Sequence, residues 1–175
     1  MRFWMRSATC FAFAAAMPMA LGAQTPEAAA PSSFSQQILE AHNRYRAAVG
    51  VAPLAWSSEL AKAAEAWANA LTSEQRFAHD PSVQNQGENL WMGTAGAFTL
   101  TEMVDDWGQE RRYFANGIFP NVSTTGSWSD VGHYTQMVWR STTAVGCAGR
   151  TGSDGYYRLV CRYSPAGNVI GRRAF

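Results

Sequence analysis

The sequence predicts a single α/β domain in which helices lead and a β-hairpin closes the fold. Three observations predict it. Stretches beginning at Ser33, Ser57 and Thr99 repeat apolar residues at helical spacing behind recognisable start signals. A short run, Gly87-Glu88-Asn89-Leu90-Trp91-Met92, reads as a strand. Ala144 to Gly149 and Tyr156 to Tyr163 flank the turn Thr151-Gly152-Ser153-Asp154-Gly155 and read as a hairpin. At 175 residues the chain is long enough for one domain with a substantial core.

The first residues stand apart from that domain. Arg2 and Arg6 form a positive n-region, and an apolar h-region with Phe11 and Phe13 runs from Ala8 to about Leu21. Leu21-Gly22-Ala23 supplies small residues for cleavage, so residues 1–23 read as a signal peptide with Gln24 as the new N-terminus. The run is too short, and too broken by Pro18, for a membrane span. Cys10 lies within the h-region rather than at the cleavage point, which argues against a lipid anchor. Residues 24–32, rich in Ala, Pro and Thr, read as a disordered leader, and residues 33–175 as the domain. The expected location is secreted or extracellular, and periplasmic in a Gram-negative host. Without residues 1–23, Lys+Arg falls from 14 to 12 against 13 acids, a net charge of about −1. That excludes a basic field for nucleic acid, and no polybasic run is present to hold a membrane.

Ser33 and Gln36 predict a capping box for the first helix, whose apolar positions are Phe34, Ile38, Leu39, Ala41, Tyr45 and Val49; Gly50 stops it. His42 and Asn43 within it read as buried polar groups bonded to nearby backbone. Pro53 makes Val51 to Trp56 an extended link. Ser57 caps a second helix over 58–71, with Leu60, Ala63, Ala64, Trp67, Ala68 and Leu71 as its stripe. Thr99 and Glu102 predict a capping box for the third, whose core side carries Leu100, Met103, Val104, Trp107 and Phe114. Residues 115–129 read as a long surface loop, and Asp130 as the cap of a short helix from His133 to about Trp139. Cys147 and Cys161 are the cysteines left after the leader, an even count that suggests a disulfide in an exported chain. The hairpin would bring their sulfurs together, closing a loop worth about 3 kcal/mol in the chain-entropy model. The alternative is two buried free thiols, which an oxidising compartment disfavours.

Four residues draw attention as chemistry. His133 places a titratable, metal-competent ring in the aromatic run Gly132-His133-Tyr134-Thr135-Gln136-Met137-Val138-Trp139. Glu88 enters an apolar strand and so requires a cation or donor. Glu110 follows Trp107 by three residues on one helix face, with a salt bridge to Arg111 or Arg112 as the alternative. His79 sits in a polar segment, where exposure or pairing with Asp80 is the simple reading.

These stretches resemble a family. Gly132 to Trp139 resembles the first signature of the CAP superfamily, the cysteine-rich secretory, antigen 5 and pathogenesis-related group 1 proteins, also called SCP domains. Cys161-Arg162-Tyr163-Ser164-Pro165-Ala166-Gly167-Asn168 resembles the second, and Gly87-Glu88-Asn89-Leu90 and His42-Asn43 with Arg46 resemble the others. The likeness runs from Phe34 to Asn168. It implies an α-β-α sandwich around a central, mainly antiparallel sheet. It also implies a surface cleft lined by His79, Glu88, Glu110 and His133, with Glu110 matched through Trp107-x-x-Glu110. The histidines of related proteins can bind zinc or another divalent ion. Two cysteines in the domain are few for the family and resemble small bacterial members. The absence of a cysteine-rich C-terminal module implies no channel-blocking role.

Two imidazoles and two carboxylates suit a divalent metal, and the carboxylates can orient the rings. The expected function is a secreted ligand-binding or interaction module for a lipid, a sterol or another small apolar ligand, with a host or envelope component as a further partner. Phe98, Ile118, Phe119 and Trp128 are the candidate groove residues, the alternative being that they simply close the core. A metal-dependent hydrolase or protease using the same tetrad, with Glu88 and Glu110 as candidate catalytic groups, is the alternative. The chain lacks a His-Glu-x-x-His pair and a third strong ligand, so the reading leans away from an enzyme. A third reading is a tetrad that only holds the fold.

Overall fold

The computed structural model describes residues 33–175; the expected signal peptide with Cys10, and the leader, lie outside the described residues. Helix α1 (Phe34–Ala48) begins where Ser33 Oγ accepts the Gln36 N–H at 3.3 Å. Only this half of the expected capping box forms, because the Gln36 amide turns forward to Glu40, one turn on, at 3.0 Å. Gly50 ends the turn beyond it with a φ of +68°, a conformation glycine adopts without steric cost. The link that follows includes a two-residue strand β1 (Ala55–Trp56). Helix α2 (Ser58–Ser73) is capped by Ser57 at the Leu60 N–H, and strand β2 (Gly87–Thr94) follows. Helix α3 (Leu100–Gln109) carries the full reciprocal box, Thr99 with Glu102, and runs into a 3₁₀ turn at Glu110–Tyr113. Helix α4 (Gly132–Met137) and the strands β3 (Ala144–Thr151) and β4 (Tyr156–Ser164) complete the domain.

The sheet order is β1-β3-β4-β2, with β1 parallel to β3 and the other two pairs antiparallel. Side chains alternate across it. Asn89, Trp91, Cys161 and Tyr163 point to the layer that holds α1, α3 and α4, whereas Leu90 and Val160 pack against Ala64, Ala68 and Leu71 of α2. This is the α-β-α sandwich. Gly146 permits the α2 contact: a Cβ there would lie 2.3 Å from the Ala61 nitrogen and 2.4 Å from the Ser57 carbonyl, and neither backbone atom can swing aside. Cys147 and Cys161 stand directly opposite each other in the hairpin and are joined as a buried disulfide.

Two buried polar arrangements fix the layers. Arg46 is almost wholly buried without a carboxylate partner, and its guanidinium donates to four carbonyls: Ala52, Met137, Trp139 and Thr142, at 2.6 to 2.9 Å. It thereby bolts the end of α1 to the chain leaving α4. Burial lowers its pKa to about 10, so it stays cationic at neutral pH. His42 starts the second arrangement. Its Nδ1 donates to the Ile38 carbonyl at 2.8 Å, which leaves Nε2 to accept from the Tyr163 hydroxyl at 2.8 Å. The Tyr163 oxygen then accepts from the Asn89 amide at 3.2 Å, and the same amide donates to the His133 carbonyl at 3.2 Å. One directed chain of bonds thus crosses from α1 through β4 and β2 to α4. Asn43 holds Leu54 by both its carbonyl and its N–H.

Burial pulls the His42 pKa from 6.5 down to about 4, against the opposing bond to Ile38. Between these values the unfolded chain binds a proton that the folded protein does not. The His42 contribution to stability is therefore complete above pH 6.5 and is lost as pH falls towards about 4. The loss over that window is about 3 kcal/mol. Urea denaturation across it, with the His42 ring followed by NMR, should show falling stability while the ring stays neutral to about pH 4. A ring that protonates near 6.5 in the folded protein would refute this account.

Candidate functional site

A cleft of about 590 Å³ opens at the start of edge strand β2, between it, α4 and the loops at 119–129 and 166–170. The structure places His79, Glu88 and His133 on its wall. Glu110 is not on the wall; it stands behind His133. It sits where α3 gives way to the 3₁₀ turn, and its Oε2 accepts the backbone N–H groups of His133 and Tyr134 at 2.9 and 3.0 Å. Its Oε1 accepts Nδ1–H of His133 at 2.6 Å. Glu110 is therefore the cap of α4, satisfying orphan donors at the positive end of the helix. The expected cap, Asp130, instead closes a separate 3₁₀ turn, Trp128–Asp130, and accepts from Thr125 at 2.6 Å. The helix is also shorter than expected: it ends at Met137, before Val138 and Trp139. Trp107, one turn before Glu110, stacks parallel to the His133 ring with centroids 6.0 Å apart and donates its indole N–H to the Leu90 carbonyl. The Trp107-x-x-Glu110 spacing thus delivers two contacts to one histidine. Arg111 and Arg112 take no part; each lies over a tyrosine, Tyr45 and Tyr113.

Glu88 holds the second histidine in the same way. Its Oε1 accepts Nδ1–H of His79 at 2.6 Å and the Asp80 N–H at 3.1 Å. Its Oε2 lies 3.1 Å from the Arg162 guanidinium, which also donates to Asp80 at 2.6 Å. Arg162 is the residue opposite Glu88 in the β2–β4 register, so a cross-strand pair supplies the cation that the buried carboxylate needs. Burial works to raise the Asp80 pKa, but bonds from Ser82 and Arg162 prevail and hold it below its usual value. His79 thus pairs with Glu88, and not with the adjacent Asp80. Arg162 could not be identified without the strand register.

Each carboxylate spends one oxygen on a histidine; the second oxygen of Glu110 caps α4, and that of Glu88 is buried and, among the described residues, meets only the Arg162 guanidinium, as an ion pair. Both histidines use Nδ1 on a carboxylate, and among the described residues neither Nε2 has a hydrogen-bond partner. That is the arrangement in which a carboxylate orients an imidazole for a metal. Imidazole nitrogen is the donor type that a divalent ion such as zinc takes. Among the described residues there is no group of three or more His, Cys, Asp or Glu arranged to hold one.

Part of the wall is apolar. Phe119, Pro120, Trp128 and Ile170 line it, and Trp128 packs on Phe119 with ring centroids 5.3 Å apart. Of the expected groove residues, Phe119 and Trp128 belong to the cleft and Ile118 sits beside it. Phe98 stands edge-on to Trp91 beyond the far end of β2 and does not line the cleft. Gln136 and Asn168 complete the wall. The Gln136 amide carbonyl accepts the Gly167 N–H at 2.9 Å; Asn168 donates to the Gly132 carbonyl at 2.9 Å and accepts from Thr135 at 2.6 Å. A Cβ on Gly87 would lie 1.9 Å from Gln136 Oε1, so this glycine lets the edge strand meet α4.

A three-layer fold with two carboxylate-backed histidines at the end of an edge strand defines a class of cleft-bearing domain. The model of the CAP family, described as the cysteine-rich secretory protein family, matches residues 39–163, and the chain belongs to it. Pathogenesis-related protein 1C of Nicotiana tabacum is 38% identical over 140 residues, covering 80% of each chain. A PR-1 type pathogenesis-related protein of Sambucus nigra is 37% identical over 142 residues, 80% of this chain and 81% of its own. These are plant proteins, and the expected likeness to bacterial members is not borne out. Among solved structures, that of NaASP2 with Zn2+ aligns at a TM-score of 0.69 and 26% identity, covering 81% of this chain and 84% of that one.

Replacing Glu110 tests its double duty. Glu110→Ala should cost about 1–3 kcal/mol in urea denaturation, since it removes a helix cap and leaves N–H groups unpaired. Glu110→Gln, which keeps one carbonyl acceptor, should cost less; an alanine variant as stable as wild type would exclude the capping role.

Proposed function

We propose that the chain is an exported ligand-binding module whose cleft takes a small apolar ligand, a lipid or sterol, beside a divalent metal held by His79 and His133. One observation carries the reading: both histidines are fixed through Nδ1 by a carboxylate at 2.6 Å, and both line the same apolar-walled cleft. The metal would meet Nε2 of each ring, and zinc suits imidazole nitrogen. Bound there, it supplies Lewis acidity. The protein's own residues orient the rings, satisfy the carboxylates and present Phe119, Trp128 and Ile170 to an apolar ligand. The zinc named for NaASP2 supports the metal part of this reading. Export is supported by the leader-like composition of residues 1–23, by the disulfide and by the family's description as secretory. The use of Glu88 and Glu110 to hold the histidine rings favours binding over hydrolysis.

Calorimetry with zinc should give a saturable heat for wild type and none above background for His133→Ala. Glu110→Gln should bind about 10–100-fold more weakly, the usual effect of losing a partner behind a metal ligand. Equal, negligible heats for all three would sink the metal site. Capture of a radiolabelled sterol or fatty acid tests the apolar wall separately. Retention should exceed that of an unrelated control protein and fall in Trp128→Ala; recovery no greater than the control would count against lipid binding.

A further inference from the structure

A second cavity, of about 610 Å³, lies on the other side of the C-terminal turn and is lined by Trp139, Arg140, Val169, Arg172, Arg173 and Phe175, together with Ser141. The three arginines reach it from two parts of the chain, Arg140 after α4 and Arg172 with Arg173 near the C-terminus. Arg140 N–H donates to the Ala174 carbonyl at 2.7 Å, which draws the segment after α4 alongside the C-terminal residues. Among the described residues, none of the three has a carboxylate within ion-pair distance, and no acidic side chain lines the cavity. Among the described residues, their one side-chain bond is that of Arg173 to the Asn116 carbonyl, at 3.4 Å. The other arginines of the domain differ. Arg44, Arg76, Arg150, Arg158 and Arg162 are ion-paired, Arg46 is buried on carbonyls, and Arg111 and Arg112 lie on tyrosines.

The turn that carries Arg172 and Arg173 is also paired with a loop that bears exposed apolar residues. Phe119 N–H donates to the Arg172 carbonyl at 2.8 Å and Gly171 N–H to the Phe119 carbonyl at 2.9 Å, which pairs the 116–121 loop with the C-terminal turn. The pairing brings forward Ile170, 79% exposed, Ile118, 52%, and Trp128, 47%. Two large aliphatic side chains and an indole left to water on segments that the loop and the C-terminal turn hold together require an explanation that a lone exposed leucine would not. Guanidinium groups without an ion pair among the described residues, on segments joined to ones that carry exposed aliphatic groups and a half-exposed indole, match one surface in particular. An anionic bilayer offers phosphate and carboxylate at the headgroup level and hydrocarbon beneath it, with indole favoured at the boundary.

We propose that this face docks peripherally on an anionic phospholipid surface. Arg140, Arg172 and Arg173 take the headgroups, while Ile118, Ile170 and the Trp128 edge enter the interface. No spanning segment is involved: among the described residues no helix is long and apolar enough to cross a membrane. Docking in this pose sets the mouth of the first cleft, which Trp128 and Ile170 also line, against the lipid. The surface does not require that cleft to hold a ligand, so the two readings fail separately.

Vesicle co-sedimentation of the protein carrying the disulfide tests it. Vesicles of phosphatidylcholine with phosphatidylserine should retain the protein at low salt; vesicles of phosphatidylcholine alone should not, and retention should weaken as salt rises. Each guanidinium at the surface is worth about fivefold, so Arg172→Ala with Arg173→Ala should weaken partitioning roughly thirtyfold. Zinc heats should be unchanged in that variant, since neither side chain lines the first cleft. Ile118→Ser with Ile170→Ser should weaken retention severalfold further at intermediate salt, where the apolar share dominates. These four residues are exposed, and unchanged melting curves would show that the variants are folded. Equal retention by both vesicle types, no retention by either, or an arginine variant that partitions like wild type would overturn the proposal. So would binding to a soluble sulfated glycan that exceeds vesicle binding and ignores the isoleucines, which would assign the arginines to a polyanion in solution.

Discussion

The Glu110 carboxylate governs the cleft. It accepts three hydrogen bonds from two consecutive residues, two from the first turn of α4 and one from the His133 ring. A six-residue helix has little stability of its own, because nucleation consumes most of what its few bonds return. An anion at its N-terminus offsets that cost and fixes where the helix starts. The position of His133 and the direction of its Nε2 are consequences. So is the reach of Gln136, one turn on, to Gly167. The same carboxylate thus sets a helix boundary and a ring tautomer, two properties usually assigned to different residues.

In the interior behind the cleft, the buried polar groups of α1 are satisfied by geometry. Arg46 spends its donors on four carbonyls, and the chain from His42 through Tyr163 and Asn89 ends on the carbonyl of His133. Such groups cost a great deal if one partner is lost and contribute less when all are present. Their value here is registration. Each bond is met only when α1, β2, β4 and α4 stand at one offset, so the network selects the packing that apolar contacts alone would leave looser. Burial pushes the Tyr163 hydroxyl well above its usual pKa, which keeps the donor to His42 in place at any pH the fold tolerates.

Helices and strands were legible in the sequence because their signals are local. Ser57 and Thr99 mark helix starts, and the Cys147–Cys161 pair reports the hairpin register. The tetrad was legible as a set through its motifs, but its internal pairing was not. Glu110 caps α4 across 23 residues of sequence, and nothing near Asp130 reveals that a distant acid has taken the capping position. Arg162 is found only by knowing that β4 pairs with β2 at Glu88. Phe98 looked like a groove residue because an exposed aromatic in a loop has no local signal for which cavity, if any, it joins; its partner turned out to be Trp91. Charge misled in the same manner. A near-neutral chain without a basic run still gathers Arg140 with Arg172 and Arg173, because segments more than thirty positions apart in the numbering meet at one cavity.

That meeting has a structural cause. The residues after β4 do not leave the domain; they return across α4 and form the partition between the two cavities. Gly167 and Asn168 bind Gln136, Gly132 and Thr135 on the cleft side, while Ala174 and Arg172 bind Arg140 and Phe119 beyond it. Asn168 adopts a φ of +55°, a left-handed conformation that asparagine tolerates better than most residues, and it turns the chain between these two sets of contacts. One turn therefore supplies a wall to the histidine cleft and a wall to the arginine cavity. Displacing it would disturb both together, whereas a side-chain change on one of its faces can alter one cavity and leave the other intact. The separation of metal-competent and cationic chemistry in so small a domain rests on that turn being held from both sides.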